Sequence, residues 1–329
     1  MPDIALLIII FVVAIAFGAS NGFNDAANAV AASIGSRAIR PRNALALAAV
    51  FNLAGALMGT AVAKTIGKGI LAPEVITYQI VLAAVVAAVV WTFIATYRGL
   101  PISVSHSLVS GLVGAGLATV STNDIGWTKF YTTLAAVVAA PTIGFIGAFL
   151  LMIILLWAFY KLKPGLNNNI FRKAQWATTA FLSYAHGKND GQMPIGLMVM
   201  GLVIYYQDPA MWNNIPLWVI FIAGASISLG TALGGWRVIK TMGFKVTALQ
   251  PVHGFAAETA AAGVIEIASH FGIPVSTTHC GVATVIGVGA TNRLSAVRWG
   301  IARSIVFAWV LTFPICLGLG YGLAKLFTL

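Results

Sequence analysis

Acidic side chains are nearly absent: eight Asp and Glu stand in 329 residues, and charged residues make up 8% of the chain, against the ~25% of a soluble globular domain. So little charge cannot solvate the outside of a water-soluble protein of this size, which excludes a cytosolic enzyme and a disordered regulator. Cysteine is as scarce. Cys280 and Cys316 both lie in apolar runs, so no disulfide scaffold is expected. The chain also lacks a P-loop, a dinucleotide fingerprint and metal-ligand spacing. Neither ATP-driven pumping nor an organic cofactor is therefore expected. Serine stands beside histidine at Ser105-His106, but such neighbours do not face each other as nucleophile and base. No catalytic residues, and no enzyme, are expected.

What fills the chain instead is hydrophobic: 59% of residues, with a mean hydropathy of +0.92. At about 20 residues per transmembrane helix there is room for about ten crossings. The net charge of +11 does not indicate nucleic acid, because the 19 Lys and Arg form no continuous run. They punctuate the ends of apolar segments, the pattern that sets orientation in a lipid bilayer. The apolar stretch 4–20 follows Asp3 with no basic residue and reads as a retained first helix, not a cleaved signal.

Apolar passages occupy 4–36, 44–63, 75–97, 101–122 and 128–160, and then 174–206, 215–236, 249–270, 274–291 and 297–327. A polar break at 161–173 parts the two groups, so the expected organisation is a first membrane repeat at 1–160, a cytoplasmic linker at 161–173 and a second repeat at 174–329. The groups carry ordered landmarks in common. PISVSH from Pro101 recurs as PVSTTH from Pro274, and the same offset of 173 carries Pro141 onto Pro314. Asn24-Asp25 recurs as Asn189-Asp190, and KTIG from Lys64 as KTMG from Lys240.

Arg37, Arg40 and Arg42 follow the first passage, whereas the matching loop from Gln207 has Asp208 and no Lys or Arg. The first loop is then cytoplasmic and the second outside. Five crossings per copy invert the second copy relative to the first and leave both termini outside. The expected fold is thus an all-α polytopic membrane protein of two inverted repeats, an architecture that recurs in secondary transporters. The passages 4–36 and 174–206 are each 33 residues long with a polar cluster in the middle, about 50 Å if helical throughout. They read as helices interrupted at the cluster and meeting at the bilayer midplane, with a steeply tilted unbroken helix as the alternative.

In SNGFNDAANA, Asn21, Asp25 and Asn28 fall at i, i+4 and i+7, one helical face. A carboxylate at mid-bilayer costs about 2.5–3.5 kcal/mol, and a bound cation, a proton or a basic partner must offset it. Carboxylate and amide oxygens suit a small hard cation such as sodium. The second cluster, SYAHGKNDGQM, places His186, Asn189 and Asp190 where the first has Asn21, Asn24 and Asp25, but Met193 where the first has Asn28. Lys188 pairs with Asp190, faces an anion or snorkels to an interface.

PISVSHS and PVSTTHC each set a proline before hydroxyls and a Gly-rich helix. A proline-started helix end attracts anions through its free amides, and Ser103, Ser105, Ser107, Ser276, Thr277 and Thr278 add donors. The expected ligand is a tetrahedral oxyanion. His106, His279 and Glu258, the last inside an apolar passage with no acidic counterpart nearby in the first copy, are candidates for a proton relay. Glu266 reads as solvated.

At these residues the chain resembles the inorganic phosphate transporter family. The family's duplicated signature, roughly G-x-N-D-x-x-N-A, stands as GFNDAANA from Gly22 and in degenerate form as HGKNDGQM from His186. The resemblance runs over nearly the whole chain. It implies a plasma-membrane symporter, homodimeric, moving inorganic phosphate with sodium ions or protons as co-substrate. It assigns cation binding to Asn24, Asp25, Asn28, Asn189 and Asp190, and substrate contact to Ser103, Ser105, Ser276, Thr277 and Thr278. The family includes sulfate permeases, so sulfate is the alternative anion, and a passive anion channel is a further alternative function.

Overall fold

The computed structural model describes residues 4–329. Thirteen α-helices account for most of them, and among the described residues the only strand-like pairing is an isolated bridge between Leu71 and Ile125. In chain order the helices are α1 (Ile4–Gly35), α2 (Pro41–Ala56), α3 (Ala61–Gly69), α4 (Tyr78–Arg98), α5 (Val104–Thr119) and α6 (Trp127–Ala158), then α7 (Pro164–Asp190), α8 (Gln192–Tyr206), α9 (Leu217–Leu233), α10 (Trp236–Lys240), α11 (Pro251–His270), α12 (Thr277–Asn292) and α13 (Trp299–Phe327). Large apolar side chains such as Phe93, Trp157, Leu217 and Phe307 stand exposed, while Asn, Asp, Ser and Thr are buried. That inversion of the usual pattern is what lipid as a solvent selects.

The expected interruption of the first passage is absent. α1 runs unbroken for 32 residues through its polar cluster, because the cluster holds no proline and its glycines pack against α9 without breaking the helix. The second passage does pause at its cluster: α7 ends at Asp190 and α8 begins at Gln192. Pro194 lacks the N–H that would reach back to the Asp190 carbonyl. The sharp bends lie elsewhere, 67° between α2 and α3 and 59° between α9 and the α10 segment.

By length and composition alone, fewer than the ten expected passages qualify as single spanning helices among the described residues. Four helices (α1, α4, α6 and α13) are long and apolar enough to span a membrane, or up to six if each bent pair is one span. The 101–122 and 274–291 passages form α5 and α12, 16 residues each, about 24 Å at 1.5 Å per residue and short of a ~30 Å hydrocarbon core. Within the 161–173 stretch, helix begins already at Pro164, a residue suited to a first helical position.

Packing follows one plan twice. α1 lies on α9 as α7 lies on α2, α5 on α13 as α12 on α6, and α4 on α5 as α11 on α12. Pro141 inside α6 is matched by Pro314 inside α13. The two helix crossings nearest the centre are built on glycine. A Cβ at Gly22 of α1 would stand 2.0 Å from the Ile227 carbonyl oxygen, and one at Gly187 of α7 would stand 2.1 Å from that of Asn52.

Candidate functional site

The polar cluster of α1 meets α7 and α12 in the interior. Asp25 and Asp190 are both buried. His186, one turn before Asp190 on α7, points Nε2 to within 3.2 Å of Asp190 Oδ2 and 3.9 Å of Asp25 Oδ2. The three side chains offer ligand atoms that all lie within 4.8 Å of one another.

The far side of the ring fixes its tautomer. Thr231 Oγ1 donates to the Ile227 carbonyl at 2.9 Å and so accepts from Asn52 Nδ2 at 2.8 Å. That turns Asn52 Oδ1 toward His186 Nδ1 at 2.9 Å, and Nδ1 carries a proton. A neutral ring would then aim a lone pair at two carboxylates in a buried space, which is costly without compensation. The constellation needs compensation: a proton on the ring or on one of the carboxyls, or a cation among the three groups.

α12 closes the other side. Thr277 Oγ1 donates to Asp190 Oδ2 at 3.1 Å, and Thr278 Oγ1 donates to Asp25 Oδ1 at 3.0 Å. Asn28 Nδ2 donates to both hydroxyls, at 3.2 and 2.8 Å. In the amide orientation that satisfies both its atoms, Asn189 donates to Asp190 Oδ1 at 3.1 Å and to the Val275 carbonyl at 3.2 Å. Five of the residues singled out in the sequence (Asp25, Asn28, Asp190, Thr277, Thr278) therefore form one hydrogen-bonded cluster around His186, with Asn189 at its edge. Asn24 faces away, donating to Thr96 Oγ1 of α4 at 2.6 Å. Asn21 is buried with no hydrogen-bond partner for its amide.

The two short helices begin beside one another. Ser103 caps α5 by accepting from the His106 N–H at 3.2 Å, and Ser276 caps α12 by accepting from the His279 N–H at 3.0 Å. Ser105 Oγ donates across to the Val275 carbonyl at 3.4 Å, whereas Ser107 Oγ bonds back to the Ser103 carbonyl at 2.9 Å. The first amides of each helix precede any intrahelical acceptor, and both dipoles present their positive ends here. His106 and His279 meet edge to face at 4.9 Å between ring centroids. His279 also stacks on Trp309 at 3.8 Å and His106 tilts against Phe313 at 5.0 Å.

Glu258 lies on α11, where it accepts from Thr178 and from Thr179 (3.2 Å). Its partners among the described residues are the hydroxyls of Thr178, Thr179 and Ser33 and the side-chain amide of Gln175, with no basic group among them. A cavity of about 10 Å³, room for about one water, has both Glu258 and Asn28 in its wall. Toward one end of the bundle, Ser36 Oγ donates to Gln175 Oε1 at 2.7 Å, one turn before Thr178 and Thr179. Lys188 pairs with Glu266, so Glu266 is an ion-pair partner and Lys188 is turned away from Asp190. Sequence reasoning had not placed His186, Asn52 or Thr231 in the site. A signal existed for the first, which occupies the repeat position of Asn21, and for Asn52, a lone amide in an apolar passage.

Comparison with known proteins gives a consistent result. A family model described as "Phosphate transporter family" matches residues 21–320. A Rhizobium meliloti protein named "probable low-affinity inorganic phosphate transporter" is 42% identical over 312 residues, covering 94% of this chain and 92% of its own. A Bacillus subtilis protein of the same name is 38% identical over 322 residues, covering 97% and 96%. A solved structure described as "The sodium-dependent phosphate transporter" superposes with a TM-score of 0.88 at 27% identity, covering 98% of this chain and 99% of that one.

Proposed function

Since the chain belongs to the phosphate transporter family, we propose that it is a secondary symporter importing inorganic phosphate, with sodium as the coupling cation bound between Asp25 and Asp190. The observation that carries this reading is the convergence of two buried carboxylates and a ring nitrogen, with the hydroxyls of Thr277 and Thr278 at the start of α12 tied to those carboxylates. A cation entering that group neutralises Asp25 and Asp190 and competes for their oxygens. The threonine hydroxyls, with Asn28 and Asn189 beside them, are then free to turn. Together with Ser103, Ser105, Ser107 and Ser276 and the first amides of α5 and α12, they form a donor set for phosphate. Cation first and anion second is the order this imposes. Hydrogen phosphate can itself donate to a carboxylate while sulfate cannot, and a donor–acceptor mismatch is penalised heavily, so phosphate is preferred over sulfate.

A proton as the coupling ion is the second reading. His186 favours it, as does Met193, which supplies no oxygen where Asn28 does in the first copy. In that case Glu258, His106 and His279 would form the relay. For either ion, the Glu258 cavity is the step between Asn28 and the Ser36–Gln175 end. On this reading the two halves are inverted repeats in the plasma membrane, with both termini outside and two copies per carrier; the basic loop at Arg37, Arg40 and Arg42 against the loop at Asp208, which has no Lys or Arg, supports the orientation. A passive channel would share the helix-end donors but has no use for paired buried carboxylates.

In proteoliposomes, labelled phosphate is expected to accumulate when an inward sodium gradient is imposed at equal pH, and excess sulfate is expected to compete weakly. Accumulation driven only by a pH gradient would select the proton. Uptake indifferent to both gradients would overturn symport. Thr278→Val keeps the shape of the side chain but removes the link from Asn28 to Asp25. Its expected cost is about 1–3 kcal/mol, read as a roughly tenfold loss in uptake at low phosphate.

A further inference from the structure

Away from the central site, α1, α4 and the bend between α9 and α10 enclose a groove of about 340 Å³, within the size range of small-molecule sites. Its wall is apolar. Phe23 comes from α1, Phe93 and Tyr97 from α4, and Trp236 from α10. Phe93, Tyr97 and Trp236 are about half or more open to the surroundings, so the groove opens on the outer, apolar side of the bundle. At its rim stands Arg237, whose guanidinium lies 4.3 Å over the Tyr97 ring and donates through Nη1 to the Tyr97 carbonyl. Those two contacts orient the fork and leave most of its five N–H donors unspent. Arg98 follows Tyr97 directly, and Lys240 lies one turn after Arg237; all three cations are exposed. Among the described residues, no acidic side chain lines the groove.

We propose that this groove seats one anionic glycerophospholipid, its phosphate on Arg237 and an acyl chain along Phe23, Phe93 and Trp236. An apolar trough with a planar cation at one end matches a molecule with a hydrocarbon chain and a phosphate. Guanidinium is the side chain best shaped for bidentate phosphate contact, and basic pockets between membrane helices on the side bearing the basic loops bind anionic headgroups. A free phosphate ion would leave the aromatic wall in contact with nothing. A neutral lipid would leave Arg237 without a counterpart. The seat also touches the transport machinery. Thr96, which receives the hydrogen bond of Asn24, lines the groove, as do Gly234 and Gly235 at the bend. Gly234 has φ of +65°, a conformation that favours glycine. A bound chain would therefore brace the bend that helps carry Asn24.

The test is native mass spectrometry of the intact chain released from detergent after exposure to equal phosphatidylglycerol and phosphatidylcholine. The expected result is one retained phosphatidylglycerol, preferred about fivefold or more. Arg237→Ala is expected to erase the preference and Trp236→Ala to weaken retention of both lipids, while Lys161→Ala, an exposed cation elsewhere, changes neither. Equal retention of the two lipids by the unmodified chain would overturn the proposal. So would a preference that survives Arg237→Ala, or a dimer that Trp236→Ala dissociates, which would seat the second copy of the chain in the groove. The readout needs no transport, so it stands or falls separately from the phosphate reading.

Discussion

Asp190→Asn is expected to leave a folded carrier that no longer accumulates phosphate against a gradient. Asparagine keeps the size of the side chain and can still accept from Thr277, so α12 stays in place. What disappears is half of the negative charge that holds a cation. His186 Nε2, 3.2 Å from the carboxylate oxygen, would then face an amide. Breaking a buried charged pairing costs about 3–5 kcal/mol, which at 1.4 kcal/mol per decade is a loss of roughly a hundredfold or more. Gradient-driven uptake of labelled phosphate would measure it, with thermal melting of the purified variant as the control for folding. Asp25→Asn should do the same. If both carboxylates serve one cation, as proposed, the double variant should lose little beyond either single one, the signature of residues acting as a unit. Wild-type accumulation by Asp190→Asn would remove the central site from the mechanism.

The second large effect is structural. Gly187→Ala would drive a methyl group to 2.1 Å from the Asn52 carbonyl oxygen, a backbone atom with nowhere to go but outward with α2. Overpacking of this kind costs typically about 1–3 kcal/mol and occasionally more. Any retreat of α2 also draws Asn52 Oδ1 away from His186 Nδ1 and lets the ring turn. The variant should melt several degrees lower and transport poorly even below its melting point. Gly263→Ala is the matched control, since a Cβ there meets nothing within 4 Å. In that helix it should stabilise by about 0.5–1 kcal/mol. If the two variants melt alike, the tight crossing of α7 on α2 does not set the site.

The twofold plan was legible in the chain because the PISVSH and PVSTTH segments and the Asn-Asp pairs are chemically unusual in an apolar sequence. Their consequences in space were only partly so. Hydropathy reads straight through Leu57 and Met58, apolar residues at which α2 gives way to the bend before α3. It likewise treats a 16-residue helix as a crossing, since length in contact with lipid is a property of the packed bundle. Asn24 and Asn28 look equivalent along α1, yet one turns to Thr96 and the other to Thr278. Helical spacing says which residues share a face and is silent on what that face meets. His186 was readable only as the counterpart of Asn21. Its role depends on Asn52 and Thr231, two residues from separate helices that no spacing rule connects.

The donor hydroxyls of Thr277 and Thr278 rest, in the unloaded cluster, on the chain's own carboxylates. On the proposed reading, an empty carrier of this build would be stoppered from within, with Asp25 and Asp190 occupying the seat that a solute anion would otherwise claim. It would swing back unladen without dragging phosphate out of the cell, and stray anions would find no foothold until a cation dislodged the stopper. Thrift against leakage, as much as affinity, would then be what the threonines confer.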